Sequence, residues 1–165
     1  VRLEDGDITL RPLGEEDVPA MVEAFRDPET VRWLPVPSPY TENDARDFIR
    51  KARDASAIAD VRTGELLGTI GWRWVDANVQ LGYWVKREAR GRGIATRALI
   101  LLSRWALEEL GARRVQLVAE PENVPSRRVA EKAGFQPEGT LRAYIEVRGE
   151  RRDAVMFGLL PEDPR

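Results

Sequence analysis

Two short stretches carry the residue types and spacings most suited to chemistry. In the first, Leu81 Gly82 Tyr83 Trp84 Val85 is followed by Arg90 Gly91 Arg92 Gly93 Ile94 Ala95 Thr96 and a long helical run, which reads as strand, glycine loop, helix. Gly91 and Gly93 let the backbone turn tightly and approach a ligand with no Cβ in the way, while the free N–H groups of the helix end point at whatever sits there. An anion of the pyrophosphate type suits such a cradle. In the second stretch, about thirty positions on, Asn123 is followed by Ser126 and by Lys132 Ala133 Gly134 Phe135 at the end of a short helical segment.

Two absences restrict mechanism more than either motif. With no Cys there is no thiolate nucleophile, acyl-cysteine intermediate or disulfide, and with no His there is no imidazole base and no usual zinc site. Carboxylates, hydroxyls, phenols, amines, backbone and water remain. That set leaves positioning of reactants and proton transfer by carboxylate, hydroxyl or water as the routes open to the chain.

The two motifs, in this order and at this separation, resemble the GNAT superfamily of acyl-CoA-dependent N-acyltransferases. Arg90, Gly93 and Ala95 match the family's loop pattern, and Asn123, Ser126 and Lys132 to Phe135 match the segment that follows it. The likeness extends over nearly the whole chain. Thr9 Leu10 Arg11 Pro12 Leu13, the Tyr40 to Ala45 helix start, the Thr63 Gly64 Glu65 hairpin with Gly68, and Arg152 Asp153 Ala154 Val155 are similar to the RimJ/RimL-type, ribosomal-protein N-terminal acetyltransferase branch. Branch membership does not give the acceptor.

The resemblance implies acetyl-CoA as cosubstrate and assigns roles along the chain. Backbone groups of Val85 and Arg87 would pair with the pantetheine arm, and the amides of Arg90, Gly91, Arg92, Gly93, Ile94, Ala95 and Thr96 would hold the pyrophosphate. Asn123 would bond to pantetheine, or serve as a helix N-cap, and Arg127 would reach the 3′-phosphate, or stay solvated. The chain departs from the family pattern in two places. Ala130 stands where many members carry a tyrosine that protonates the thiolate, which leaves Ser126 as the substitute acid. Gln80 stands where the branch usually carries Glu, so the base is sought at Glu146, at Asp76 or in a water chain. Trp33, Tyr40 and Tyr144 are expected at the acceptor, a primary amine on a peptide N-terminus or a small molecule.

The elements that must position these residues follow from periodicity and turn chemistry. Ile8 to Pro12 reads as a strand, Glu15 to Phe25 as a helix, and Thr41 or Asn43 caps a second helix to about Arg53. Three prolines between Val31 and Tyr40 forbid a regular element there. Ala57 to Asp60 pairs with Leu66 to Val75, and Val79 to Val85 follows after a turn. Alternation puts Trp72 and Trp74 on one face, packed under a helix. A helix from Ile94 to Leu110 closed by Gly111, a strand Arg114 to Ala119, a helix Val124 to Lys132 closed by Gly134 and a hairpin around Arg148 Gly149 complete the chain. The resemblance implies a single α/β domain over residues 1–165: a mixed, mostly antiparallel central sheet flanked by helices, whose strands Val79 to Val85 and Arg114 to Ala119 splay apart.

A chain of 165 residues, 42% of them apolar, can bury a continuous core, and its net charge of −2 argues against nucleic acid as the main partner. No stretch is long and apolar enough to span a bilayer, so a cytoplasmic protein is expected, with no membrane partner and a homodimer left open. Two other classes compete. A nucleotide-dependent oxidoreductase fails because Thr96 stands at the third small position, Glu120 lies too far on and too little chain remains for a Rossmann sheet. A non-catalytic acyl-CoA-binding or sensor domain is made plausible by Ala130 and Gln80.

Overall fold

The computed structural model describes residues 1–164, so the expected domain of residues 1–165 runs one residue past them. In chain order the elements are β1 (Leu3–Asp5), β2 (Ile8–Pro12), a 3-10 turn (Glu15–Asp17), α1 (Val18–Ala24), α2 (Pro28–Arg32), α3 (Glu42–Lys51), β3 (Ala55–Asp60), β4 (Leu66–Val75), β5 (Asn78–Val85), a second 3-10 turn (Arg87–Ala89), α4 (Ile94–Glu108), β6 (Val115–Ala119), α5 (Val124–Lys132), β7 (Gln136–Val147) and β8 (Glu150–Leu159). The strands form one sheet in the order β1-β2-β3-β4-β5-β6-β8-β7, and every pair is antiparallel except β5 with β6.

That one parallel pair organises the molecule. β5 is bonded to β4 along its whole length, from Val75↔Asn78 to Gly68↔Val85, and β6 is bonded to β8 from Val115↔Leu159 to Ala119↔Val155. Between β5 and β6, however, only Val79↔Val115 and Gln80↔Gln116 pair. Beyond Gln80 the strands part, so main-chain groups on their facing edges are left for another partner. The expected splay is therefore present, opening at the carboxyl ends of both strands.

Apolar side chains cover both faces of the sheet. The larger cluster joins Ile8, Leu10, Ile58, Val79 and Leu81 to Ile94, Leu99 and Leu102 of α4, and the smaller joins Val18 and Met21 of α1 to Ala45 of α3, Ala57 and Leu66. Burying side chains on both faces stabilises the sheet by roughly 25 cal/mol for each Å² of apolar surface removed from water. The helix ends follow from identifiable caps. Thr41 and Asp44 form a reciprocal capping box at α3, and Gly111, at φ +76°, ends α4 with the Ala112 N–H donating to Ala106 O at 2.8 Å.

Four expectations need correction. The segment Glu15 to Phe25 is not one helix: Pro19 opens α1, and the residues before it form a 3-10 turn closed by Asp17, which accepts from Gly14 N. The proline segment is irregular only after Arg32, because α2, started by Pro28 and capped by Asp27, runs into it. Leu3–Asp5 adds a short edge strand that its three residues did not signal. Of the two expected helix-packed tryptophans, Trp72 packs against Trp105 of α4 with ring centroids 5.5 Å apart and the rings tilted at 54°, whereas Trp74 remains 48% exposed near the β4–β5 turn.

Candidate functional site

The splay opens onto two cavities that share a wall. The smaller, of about 420 Å³, runs between the carboxyl end of β5, the amino end of α4 and the amino end of α5; the larger, of about 770 Å³, lies on the other face, between β4, β5, α1, α3 and the proline segment. Leu34, Tyr83 and Trp84 line both. Alternation on β5 explains the geometry: Tyr83 points toward the α4–α5 side, while Trp84 packs on Phe25 of the α1 side, and the passage runs between them.

The smaller cavity has the features of an anion cradle. Gly91 and Gly93 both adopt φ +73°, and a Cβ at either would meet no atom within 4 Å, so the loop faces open space. The first helical bond of α4 is Arg97 N–H to Gly93 O, which leaves the amides of Ile94, Ala95 and Thr96 without intrahelical partners at the positive end of the helix dipole. Arg128 and Lys132 of α5 line the same cleft and bring positive charge to it. This combination fits the pyrophosphate of a CoA molecule.

Of the residues expected there, Val85, Arg90, Gly91, Gly93, Ile94, Ala95, Thr96 and Asn123 line the cleft, whereas Arg87, Arg92 and Arg127 do not. The side chain of Arg90 is drawn aside, with Nη2 donating to Thr30 Oγ1 at 2.7 Å and Nε donating to Val85 O at 3.3 Å. Arg127 turns back along its helix to donate from Nη1 to Pro121 O at 3.0 Å, and its neighbour Arg128 faces the cleft instead. Both local roles weighed for Asn123 are compatible. Its Oδ1 accepts from Ser126 N at 3.3 Å as the α5 cap, and its side chain borders the cavity with its amide N–H groups still to offer.

At the junction Ser126 Oγ lies 3.0 Å from the Tyr83 hydroxyl. Burial pushes the Tyr83 phenol up to about 12, and the bond to Ser126 only partly opposes that shift, so the group is neutral and proton-bearing throughout the physiological range. Tyr83 is thus a candidate site residue, lining both cavities beside Ser126, that motif spacing did not reveal. Its one sequence signal was its place two residues before the end of the strand that leads into the glycine loop.

The remaining expected residues scatter. Trp33 lines the smaller cavity, beneath the Arg32 guanidinium at 4.4 Å, rather than the larger one. Tyr40 does line the larger cavity, edge-on to Phe25 at 4.5 Å, and burial, then the Asp44 charge, pushes its phenol up to about 12. Tyr144 is 44% exposed on β7 and borders neither cavity. Glu146 is exposed on the same strand, 3.6 Å from Arg151, and also borders neither; Asp76 sits at φ +53° in the β4–β5 turn.

The family is shown by comparison with known proteins. The family profile described as an acetyltransferase (GNAT) domain matches residues 7–136. The chain belongs to the GNAT acetyltransferases and is an acyl-CoA-dependent N-acetyltransferase. Within that family, its 34% identity to a relative named as a ribosomal N-acetyltransferase supports the RimJ/RimL-type branch. It is 31% identical to the N-acetyltransferase p20 of Bacillus licheniformis over 94% of both chains, and 34% identical, over 75% of its own length and 70% of the relative's, to YdaF of Bacillus subtilis, a candidate ribosomal N-acetyltransferase by name. Among solved structures, a GNAT-family acetyltransferase from Bacillus anthracis superposes with a TM-score of 0.90 at 23% identity, covering 99% of this chain and 100% of that one. Mycobacterium smegmatis RimJ, solved with CoA-disulfide, superposes at 0.81 with 24% identity over 94% and 82% of the two chains. No observation favours a non-catalytic acyl-CoA sensor. Among the described residues no helix is long and apolar enough to cross a membrane.

Proposed function

We propose that acetyl-CoA lies in the smaller cavity, with its pyrophosphate against Gly91 to Thr96, and that a primary amine of a peptide N-terminus or small molecule enters through the larger one. The observation that carries this reading is the meeting of the two cavities at Tyr83, with Ser126 beside it. The amine nitrogen attacks the thioester carbonyl, the C–S bond breaks, and the departing thiolate takes a proton from Ser126 Oγ. Tyr83, donating its phenolic proton toward Ser126, keeps the serine proton directed into the cleft and stays neutral itself, and water in the open cleft returns a proton to Ser126 once the thiol has left. With no cysteine in the chain, transfer without an acyl-cysteine intermediate is the simplest route.

Positioning supplies much of the rate in such a reaction, because aligning two reactants can replace effective molarities of about 10⁵ M or more. The amine must lose a proton before it attacks. Gln80 cannot take it, and the expected Glu146 is turned to solvent, so in this proposal the proton leaves to water through the open acceptor cavity.

The test is thiol release from acetyl-CoA against a panel of peptides, amino acids and amine antibiotics. Amine-dependent release with an acetylated product supports the proposal. A chain that binds CoA but releases no thiol with any amine would instead be a sensor.

A further inference from the structure

The larger cavity carries a polarity that bears on which amine it admits, and the inference drawn from it rests on the acetyl transfer proposed above. Its floor is set by a relay that begins at the protein surface. Glu138 on β7 accepts from Arg114 Nη1 and Nη2 at 3.0 and 2.5 Å, and Arg114 Nε donates to Gln116 Oε1 at 3.1 Å. A guanidinium can only donate, so the Gln116 amide is fixed with its oxygen toward Arg114 and its nitrogen toward Gln80. Gln116 Nε2 accordingly donates to Gln80 Oε1 at 3.3 Å. Gln80 is 8% exposed and lines the cavity. Its oxygen is committed, so what it offers the cavity is the pair of N–H donors on Nε2, which no described residue accepts.

The charges around the cavity point the same way. Of its carboxylates, Asp44 is engaged by the Thr41 N–H and hydroxyl, and Asp47 is paired with Arg50; Asp54 alone has no side-chain partner. Lys51, Arg53 and Arg73 line the same space, and among the described residues none has a hydrogen bond or ion pair from its charged group. The Thr41 donors are neutral and leave the Asp44 charge in place, so with Asp47 neutralised by Arg50 three cations face two carboxylates, Asp44 and Asp54, and the rim carries a net positive charge. A polyamine brings only donors and positive charge to a floor that already donates and a rim that is already cationic. An amine that carries oxygen acceptors and a negative charge satisfies both.

We propose that the acceptor is an α-amino group flanked by a carbonyl or carboxylate oxygen and followed by at least one further carboxylate, as in an acidic amino acid or the N-terminus of an acidic peptide. Gln80 Nε2 binds the oxygen next to the amine, and Lys51, Arg53 and Arg73 hold the carboxylates at the mouth.

The experiment compares acetylation of four acceptors by the full chain: a short peptide with Glu at its second and third positions, the same peptide with Lys there, free glutamate, and spermidine. The expected result is a kcat/KM for the Glu peptide or glutamate at least about tenfold above those for the Lys peptide and spermidine, with the gap shrinking as salt is raised. The better of the two acidic acceptors identifies the source. In Arg73→Glu, and independently in Lys51→Glu, the preference should narrow or reverse through KM while the affinity for CoA, read by calorimetry, stays unchanged. Faster turnover of spermidine or the Lys peptide, a preference untouched by both charge reversals, or turnover of none of the four by a CoA-binding protein overturns the proposal. A wild-type chain that fails to bind CoA would instead overturn the acetyl-transfer reading beneath it.

Discussion

The Tyr83 hydroxyl on β5 and Ser126 Oγ on α5 stand 3.0 Å apart, joining two elements that the sheet does not connect at that level. The serine is also fixed from its backbone side, since its N–H donates to Asn123 Oδ1. Ser126 is thus both a capped helix residue, through its N–H, and a hydroxyl at the cleft, through Oγ, and because the roles use different atoms they are compatible. Ser126→Ala should lower kcat about a hundredfold, the usual scale for a lost general acid. Tyr83→Phe should lower it about tenfold with little change in the KM for acetyl-CoA, and the double variant should be no slower than Ser126→Ala, as expected of groups that act as a unit. Additive losses in steady-state thiol release, or a fully active Tyr83→Phe, would separate the two residues.

Gly93 offers a cleaner test of the phosphate cradle. At φ +73° a β-branched side chain is strained, at a cost of about 1–3 kcal/mol, but a Cβ there meets no atom within 4 Å, so the fold has room for it. Gly93→Val should therefore remain folded with a lowered melting temperature and should bind CoA at least about tenfold more weakly, because the new side chain occupies the space the pyrophosphate needs. Calorimetry showing unchanged CoA affinity in the folded variant would remove the loop from the cofactor site.

The pH dependence discriminates among the bases. The chain has no histidine, Gln80 replaces the acidic residue usual in the branch, and Tyr83, pushed up to about 12, does not titrate in the working range. If the amine proton goes to water, log kcat/KM for an α-amino acceptor should climb with unit slope through neutral pH and level off only near the acceptor's own pKa, about 8. A plateau already reached near pH 6 would instead indicate a carboxylate base, and Glu146 and Asp76 would be the first to replace.

The glycine loop and the asparagine cap were legible because each is written in contiguous residues, whereas the splay was implied only by the family resemblance. Gly91 and Gly93 meet a backbone demand, Asn123 an orphaned N–H, and the strand and helix periods around them are local. Side-chain destinations were less so. Arg127 and Arg128 are adjacent on α5, and the helix phase that turns one to Pro121 O and the other to the cleft depends on how the helix docks. Trp33 lines the smaller cavity because the chain enters the proline segment from α2, and that helix was invisible beside the prolines. Tyr83 looked like an ordinary strand residue, since its partner lies 43 positions away.

Arg11, part of the opening segment that resembles the branch, supports the side of the sheet that carries the larger cavity by holding a buried charge. Its Nη1 and Nη2 donate to the two carboxylate oxygens of Asp17 at 2.9 and 2.8 Å, and Asp17, only 2% exposed, also accepts from Gly14 N at 2.9 Å. The pair ties β2 to the start of α1, whose Met21 lines the larger cavity. Removing the arginine strands a carboxylate in the interior, a loss of about 3–5 kcal/mol for a buried pair broken on one side. Arg11→Met should show this as a lower urea midpoint at neutral pH. Adding Asp17→Asn, which keeps an acceptor for the Gly14 N–H but removes the charge, should recover most of the loss. If the double variant is as unstable as Arg11→Met, the packing and hydrogen bonds of the guanidinium, which also donates to Gly64 O at 2.9 Å, hold the segment rather than the charge pair.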